Sequence, residues 1–415
     1  MNAQLTRFCS YLLLLFPWCA VFSSAGMDII ASLTALCFLL HCANTRSWQW
    51  IKAPWVRCML AAWIYMLARG VLAAHPAEAL RHGAPFFRYF VFAAALAFWL
   101  MRDAQLRSRF LLSLRIMLLF ITADGFLQWA TGKDIFGYIT LVDTLGHLRL
   151  TGPFGQEKPI LGIILVWLGF PIAVSGILDG QGAWRRGRDL ALGILQAVAL
   201  LMMIAFSGER MALMLALLGF GVTLLLLPLK RRLLVATAAS GAALLVIMAL
   251  FVPSFFDRQV KATLDIFAHW QDSAYGKLLS SDMKLAALDP VFGLGSNQFR
   301  TACPTLYTHE STEFIKTVCN LHPHNIYLEW LIENGVIGLA LFVAFIACVA
   351  RECSRALRSA HAHPLLIGWL VAFTLRIWPV GSTTGFFSSW GAPPFWLATG
   401  MLLAYAYRAR EKTSV

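Results

Sequence analysis

The chain has 415 residues, 59% of them hydrophobic and 13% charged, with a formal net charge of +13. Soluble domains carry about 25% charged residues, so this composition excludes an ordinary water-soluble protein and points to the bilayer. A nucleic-acid role, which the basicity alone would invite, is excluded by where the charges fall.

Taken in chain order, twelve stretches approach spanning length: 8–24, 27–43, 55–73, 84–101, 109–130, 159–178, 189–206, 208–227, 232–252, 326–350, 364–380 and 392–408. A spanning helix needs about 20 apolar residues. Arg7 before the first stretch and Ser-Ser-Ala-Gly behind it have the form of a signal peptide, but the many later spans favour an uncleaved helix. With the amino terminus in the cytoplasm, one set of loops collects most of the 34 basic residues. That set includes Arg46, Lys52 and Arg57, then Arg185, Arg186 and Arg188, then Lys230, Arg231 and Arg232, and finally Arg408, Arg410 and Lys412. Short cytoplasmic loops hold such residues preferentially, so both termini are expected inside. The fold class is therefore an all-α integral membrane protein with about 12 transmembrane helices, read as a single polytopic domain over 1–415. There is no Gly/Ser linker or low-complexity tract, and no matched pair of broken spans of the kind found in many transporters.

The one long polar interruption, 253–325, lies between the ninth and tenth spans and is expected on the outer face. Within it, 255–279 and 281–288 read as short helices, Asp289-Pro290 ends the second, and Gly293-Leu294-Gly295 makes a tight turn. Phe255, Phe256, Phe267 and Trp270 suit a segment lying against the lipid interface. Of nine cysteines, only Cys303 and Cys319 lie in this outward loop. An oxidising compartment permits a disulfide there, with two free thiols as the alternative. Cys303, His309, Cys319, His322 and His324 are metal-ligating types, but Cys319-x2-His322-x-His324 is not a spacing of zinc modules, and no metal is expected.

Arg210 follows Ser207-Gly208-Glu209 between two apolar stretches, at a helix amino terminus near the outer surface. A guanidinium beside free backbone N–H groups suits a phosphate; the alternative is a snorkelling arginine paired with Glu209. Lys277 and Lys284 flank the start of the second loop helix, with Arg258, Lys261, Arg300 and Lys316 elsewhere in the loop, and most of these are expected to be solvated. Arg88 lies one turn inside the fourth span and Arg376 in the eleventh, where a charge usually faces a cavity. Asp28, in the first outward loop, is either a catalytic carboxylate or, more simply, a cap for the second span. His324 stands at the mouth of the tenth span, where an imidazole can accept a proton from a hydroxyl nucleophile. Asn325 can cap that helix, and Asn325, Glu329 and Glu333 share one face. Ordinary interfacial histidines are the competing reading.

Four stretches together carry a resemblance. Arg149-Leu150-Thr151-Gly152-Pro153-Phe154, then Ser207-Gly208-Glu209-Arg210, then Pro290-Val291-Phe292-Gly293-Leu294-Gly295-Ser296-Asn297-Gln298-Phe299 come in that order. They are followed by His324-Asn325-Ile326-Tyr327-Leu328-Glu329-Trp330-Leu331-Ile332-Glu333-Asn334-Gly335. The series resembles the O-antigen ligase/polymerase superfamily of membrane glycosyltransferases. The resemblance implies a GT-C-like fold in a bacterial inner membrane, with its site at the periplasmic face. It implies transfer of a glycan from an undecaprenyl diphosphate carrier, with Arg210 on the diphosphate and His324 as the base or its orienting group. Where the family places a basic residue, usually arginine, ahead of the loop helix, this chain offers Lys277, which supplies charge without a bidentate fork. With no Asp-x-Asp pair to hold a divalent ion, Arg210, Lys277 and Arg88 are the expected diphosphate-binding cations, and no cofactor is expected. The leading expectation is an O-antigen ligase with a lipid A–core sugar acceptor. A polymerase or protein glycosyltransferase of the same superfamily, a transporter of an anionic lipid or solute, and a non-catalytic scaffold are the alternatives. The expectation of a ligase over protein-modifying relatives is favoured by the absence of an added carboxy-terminal soluble domain.

Overall fold

The computed structural model describes residues 2–142, 146, 148–180, 182–227, 256–319, 322–358 and 363–411, with isolated positions between 227 and 256. Most of the ninth expected span, 232–252, lies outside the described residues, as do Lys230, Arg231, Arg232, Phe255 and Lys412. Among the described residues helices dominate, beside one two-stranded antiparallel hairpin that pairs Leu141 with Arg149 and Val142 with Leu148. Among the described residues, six helices are long and apolar enough to cross a membrane: Asn2–Phe22, Ser24–Thr45, Pro76–Arg102, Ala104–Thr131, Gly187–Phe206 and Ile326–Leu357. Leu161–Ile177, Arg210–Leu226 and Pro364–Arg376 are apolar but shorter. This is a multi-pass helical membrane protein; twelve crossings go beyond what these helices establish.

The chain divides into two compact units. The first comprises 1–107, 269–362 and 377–415. Its Ile326–Leu357 helix packs on Pro54–Val71 and on Ala392–Glu411, while Phe87–Phe98 packs on Ser24–Thr45 and Ala392–Glu411. The centre is aromatic: Trp330 stacks on Phe342 with ring centroids 5.0 Å apart, and Phe386 meets Phe342 and Phe395 edge-on. Such large rings bury enough area to dominate a core.

A smaller cluster of Leu285, Phe299, Cys303, Val318 and Ile332 sits beneath the long polar segment. Cys303 and Cys319 are joined in a disulfide across it, their Cα atoms 5.4 Å apart. The helices of this segment fall differently from the expected 255–279 and 281–288. One helix, Ala274–Ala286, runs through the expected break, because Ser273 caps it by accepting from Gly276 N at 3.1 Å. Lys277 and Lys284 therefore stand on the same helix rather than on either side of a helix start. Phe299–Thr305 and Thr312–Val318 are short helices that the hydrophobic pattern does not announce.

The second unit comprises 108–268 and 363–376. Leu161–Ile177 is its centre, packed on Gly187–Phe206, Arg210–Leu226 and Pro364–Arg376. Two of these helices approach closely at Gly176 and Gly193, where a Cβ on Gly193 would lie 2.0 Å from the Gly176 carbonyl oxygen. Small residues at such a crossing let helix backbones touch.

Replacing Cys303 and Cys319 together by serine should lower the stability of the segment by about 3 kcal/mol, the chain-entropy value for a loop of this length. Limited proteolysis between residues 299 and 319 should speed up accordingly, and an unchanged cleavage rate would refute the staple.

Candidate active site

In the first unit, two of the four resembling stretches meet. The Ile326–Leu357 helix breaks at Gly335, whose φ of 61° and ψ of −171° are non-helical. The break frees backbone groups that a continuous helix would use itself. Leu294 N donates to Ile332 O at 2.8 Å, Gly295 N to Glu333 O at 2.8 Å, and Val336 N to Pro290 O at 2.9 Å. The approach demands glycine on both sides: a Cβ on Gly293 would lie 2.4 Å from Asn334 N, and one on Gly335 would lie 2.1 Å from Val291 O. The far side of the turn is clasped by Arg69, which donates to Gly293 O at 2.6 Å and to Asp289 Oδ2 at 3.1 Å. Tyr65 adds a bond from its hydroxyl to Phe292 O at 2.8 Å. Neither Arg69 nor Tyr65 stands out in sequence, since each lies within an apolar span.

Asn325 caps the same helix, its Oδ1 accepting from Tyr327 N at 2.9 Å and Leu328 N at 3.2 Å. Its Nδ2 donates to Pro379 O at 2.6 Å, and the Tyr327 hydroxyl donates to Ile377 O at 2.6 Å. A loop at 377–391 is thus laid against the helix mouth. Thr383 of that loop anchors both histidines. Its N–H donates to His324 O at 2.8 Å, and its carbonyl lies 3.2 Å from His322 Nε2. A carbonyl can only accept, so Nε2 of His322 carries the proton. The two imidazoles are 4.6 Å apart between centroids. Burial pushes both below the ordinary imidazole value: His322 to about 4, helped by its neighbour His324 and by Arg300, and His324 downward, with Thr383 partly opposing. Both rings are neutral near pH 7 and able to accept a proton.

Glu329 and Glu333 are buried on the inner face of this helix. Glu329 Oε2 accepts from Phe386 N at 2.7 Å, which ties the helix to the 377–391 loop again. The positive charge of Arg300 acts on His322, Glu329 and Glu333 alike. Arg300 is exposed, as expected of a loop residue, and stands on the short Phe299–Thr305 helix that the hydrophobic pattern does not announce. Lys277 is exposed in the first turn of its helix. Arg88 is committed elsewhere: Nε and Nη2 grip both oxygens of Asp28 at 3.0 and 2.9 Å, and its charge is balanced there. This accounts for Asp28 too, since Ser23 caps the second helix instead, accepting from Gly26 N at 3.0 Å.

In the second unit the other two stretches meet. Gly208 turns the chain with a φ of 74°, and a Cβ there would lie 2.5 Å from Leu148 O. Leu150 N donates to Ser207 O at 3.1 Å, which fixes Arg149 beside the turn. Glu209 does not pair with Arg210 but accepts from Gly162 N at 2.7 Å, capping the Leu161–Ile177 helix, with the positive charge of Arg149 acting on it. Arg210 is the first residue of its helix and donates from Nη1 to Ala262 O at 3.1 Å. Arg258 is buried rather than solvated, and its Nε donates to Gly208 O at 2.9 Å. Arg149, Arg210 and Arg258 are thereby gathered around one turn. Arg376, buried at the end of Pro364–Arg376, lies 4.1 Å over the Trp167 ring.

Two of the residues weighed for a metal, Cys303 and Cys319, are bonded to each other. Among the described residues, no three His, Cys, Asp or Glu side chains are grouped to hold one.

A multi-pass helical membrane protein with a histidine pair at a helix mouth and clustered arginines is the class this architecture defines. Residues 195–343 match the family described as O-antigen ligase. Over that segment the chain is similar to the O-antigen ligase family, a likeness that supports a membrane glycosyltransferase of the ligase/polymerase type at family level. The match takes in Arg210, Lys277, Arg300 and His324 and stops before the 377–391 loop. No curated protein matches the chain.

Gly335→Ala should undock the Pro290–Gly295 turn, costing about 1–3 kcal/mol in backbone strain before any lost hydrogen bond. Thermal unfolding in detergent measures this; a midpoint equal to wild type would contradict the docking.

Proposed function

We propose that the protein is a glycosyltransferase that moves O-antigen polysaccharide from undecaprenyl diphosphate to a sugar hydroxyl of lipid A–core, at the periplasmic face of a bacterial inner membrane. The observation that supports this most is a neutral histidine pair, held by one backbone loop at the mouth of a membrane-length helix inside the family-matched stretch. His324 takes the proton of the acceptor hydroxyl as its oxygen attacks the anomeric carbon. The bond from that carbon to the diphosphate oxygen breaks, and the electron pair leaves with the carrier. Negative charge grows on the leaving group, and Arg210 with Lys277 stabilises it as fixed cations, without a divalent ion. Asn325 and Glu333 hold the helix mouth and its inner face. A transporter of an anionic lipid or solute is the second reading, and it would leave the glycan unaltered.

His324→Ala should lower transfer from a purified carrier-linked glycan to lipid A–core by about 100-fold or more, the usual worth of a general base. Wild-type turnover in that variant would end the catalytic assignment. Arg210→Ala should raise the KM for the carrier-linked donor, and activity should persist in excess chelator; unchanged donor saturation, or activity lost to chelator and restored by zinc, would overturn those roles. Because burial lowers the histidine value, the neutral base survives as pH falls through the ordinary 6.5. Transfer should therefore hold its plateau below pH 6.5 and decline only in stronger acid. An acid limb centred at or above 6.5 would show an unburied histidine instead.

A further inference from the structure

At the other end of the first unit's Ile326–Leu357 helix lies a cavity of about 660 Å³ that the transfer reaction does not use. Its polar rim is Arg102, Arg355, Arg358, Arg408 and Arg410. Two carboxylates answer these five guanidiniums among the described residues. Glu352 bonds Arg355 at 3.4 Å and also Arg410, and Glu411 lies 3.6 Å from Arg102. Arg408 is oriented by a neutral group, donating to Arg102 O at 3.2 Å, and Arg358 is exposed at the helix end. The cavity keeps an excess of positive charge.

Its remaining wall is apolar and comes from Ala97, Phe98, Met101, Ala404 and Tyr407. The depth is informative as well. The membrane-length segment Pro76–Arg102 ends at the rim with Arg102, and Ile326–Leu357 ends beside it. A pocket with a cationic rim and an apolar wall, placed where spanning helices end, matches a molecule that is anionic at the head and hydrocarbon behind it. Guanidinium forks fit phosphate oxygens, whereas a free phosphate would gain nothing from the apolar wall.

We propose that this cavity binds an anionic phospholipid, its phosphodiester head on Arg358 and Arg408 and an acyl chain along Phe98, Met101 and Tyr407. By the same placement of charge that orients the chain, the site belongs to the cytoplasmic leaflet. It is separate from the histidine end, at the opposite terminus of the same helix.

The test is native mass spectrometry of the full chain in mild detergent, titrated with phosphatidylglycerol, with phosphatidylcholine of the same acyl chains, and with inorganic phosphate. Wild type should retain phosphatidylglycerol about tenfold better than phosphatidylcholine, in line with the attraction of basic groups near an anionic lipid surface. Arg358→Ala combined with Arg408→Gln should erase that preference. Arg57→Ala, a basic residue of the same unit outside the cavity, should keep it and serves with a thermal melt as the folding control. Equal retention of the two lipids, an undiminished preference in the double variant, or inorganic phosphate binding as tightly as the lipid would each overturn the proposal. The last result would mark a soluble-anion site.

Discussion

Backbone pairing between the Pro290–Gly295 turn and the broken turn at Gly335 is the contact on which the first unit's site depends. An unbroken helix satisfies its own N–H and C=O groups and offers nothing for a loop to grip. The break at Gly335 exposes Ile332 O, Glu333 O and Val336 N, and the turn takes all three. Everything downstream is then placed by short covalent distances. Phe299–Thr305 follows the turn and carries Arg300; Cys303 ties that helix to Cys319; and His322 and His324 come just before the Asn325 cap. A polar segment of this length would ordinarily be mobile over water. Here the stretch from the Pro290–Gly295 turn to Asn325 is fixed at both ends to one helix, so Arg300 and the histidines keep a defined address.

Much of this was legible from the residues, and the exceptions have physical causes. Membrane-length apolar runs are a strong signal because a single segment can satisfy its own backbone in lipid only as a helix, and most expected spans coincide with helices to within a few residues. The Asn325 cap, the turn at Gly293 and the position of Arg210 at a helix start follow from local rules and appear where those rules put them. The helix break inside the polar segment was misplaced because Ser273 and Gly276, a capping pair without hydrophobic periodicity, decide it. Partners distant in sequence were not legible at all. Nothing in Asp28 announces Arg88, nothing in Gly208 announces Arg258, and nothing in Thr383 announces the histidines. A stretch such as Gly381-Ser382-Thr383-Thr384-Gly385 reads as a turn between spans, and only its register against His322 gives it a role. The family match ends before it, so the comparison carries no signal there either.

The arginines differ less in number than in what each has been given as a partner. A guanidinium facing a carboxylate is both oriented and neutralised, whereas one facing a backbone carbonyl is oriented and keeps its full charge. Arg88, gripping both oxygens of Asp28, is of the first kind and serves to join two helices. Arg69 is partly so, shared between Asp289 and the Gly293 carbonyl. Arg210 is of the second kind: one N–H is spent on Ala262 O, and the carboxylate next to it in sequence is spent on Gly162 N. Were Glu209 turned toward Arg210, the pair would present little field to a diphosphate. Capping the Leu161–Ile177 helix removes that carboxylate from the arginine and satisfies an orphan helix donor in the same bond. The Ser-Gly-Glu-Arg sequence thus works through a division of labour that its charges alone would hide. The acid is structural, and the glycine is required by the approach of Leu148. The arginine is left oriented by a neutral carbonyl and unopposed by the acid beside it in sequence.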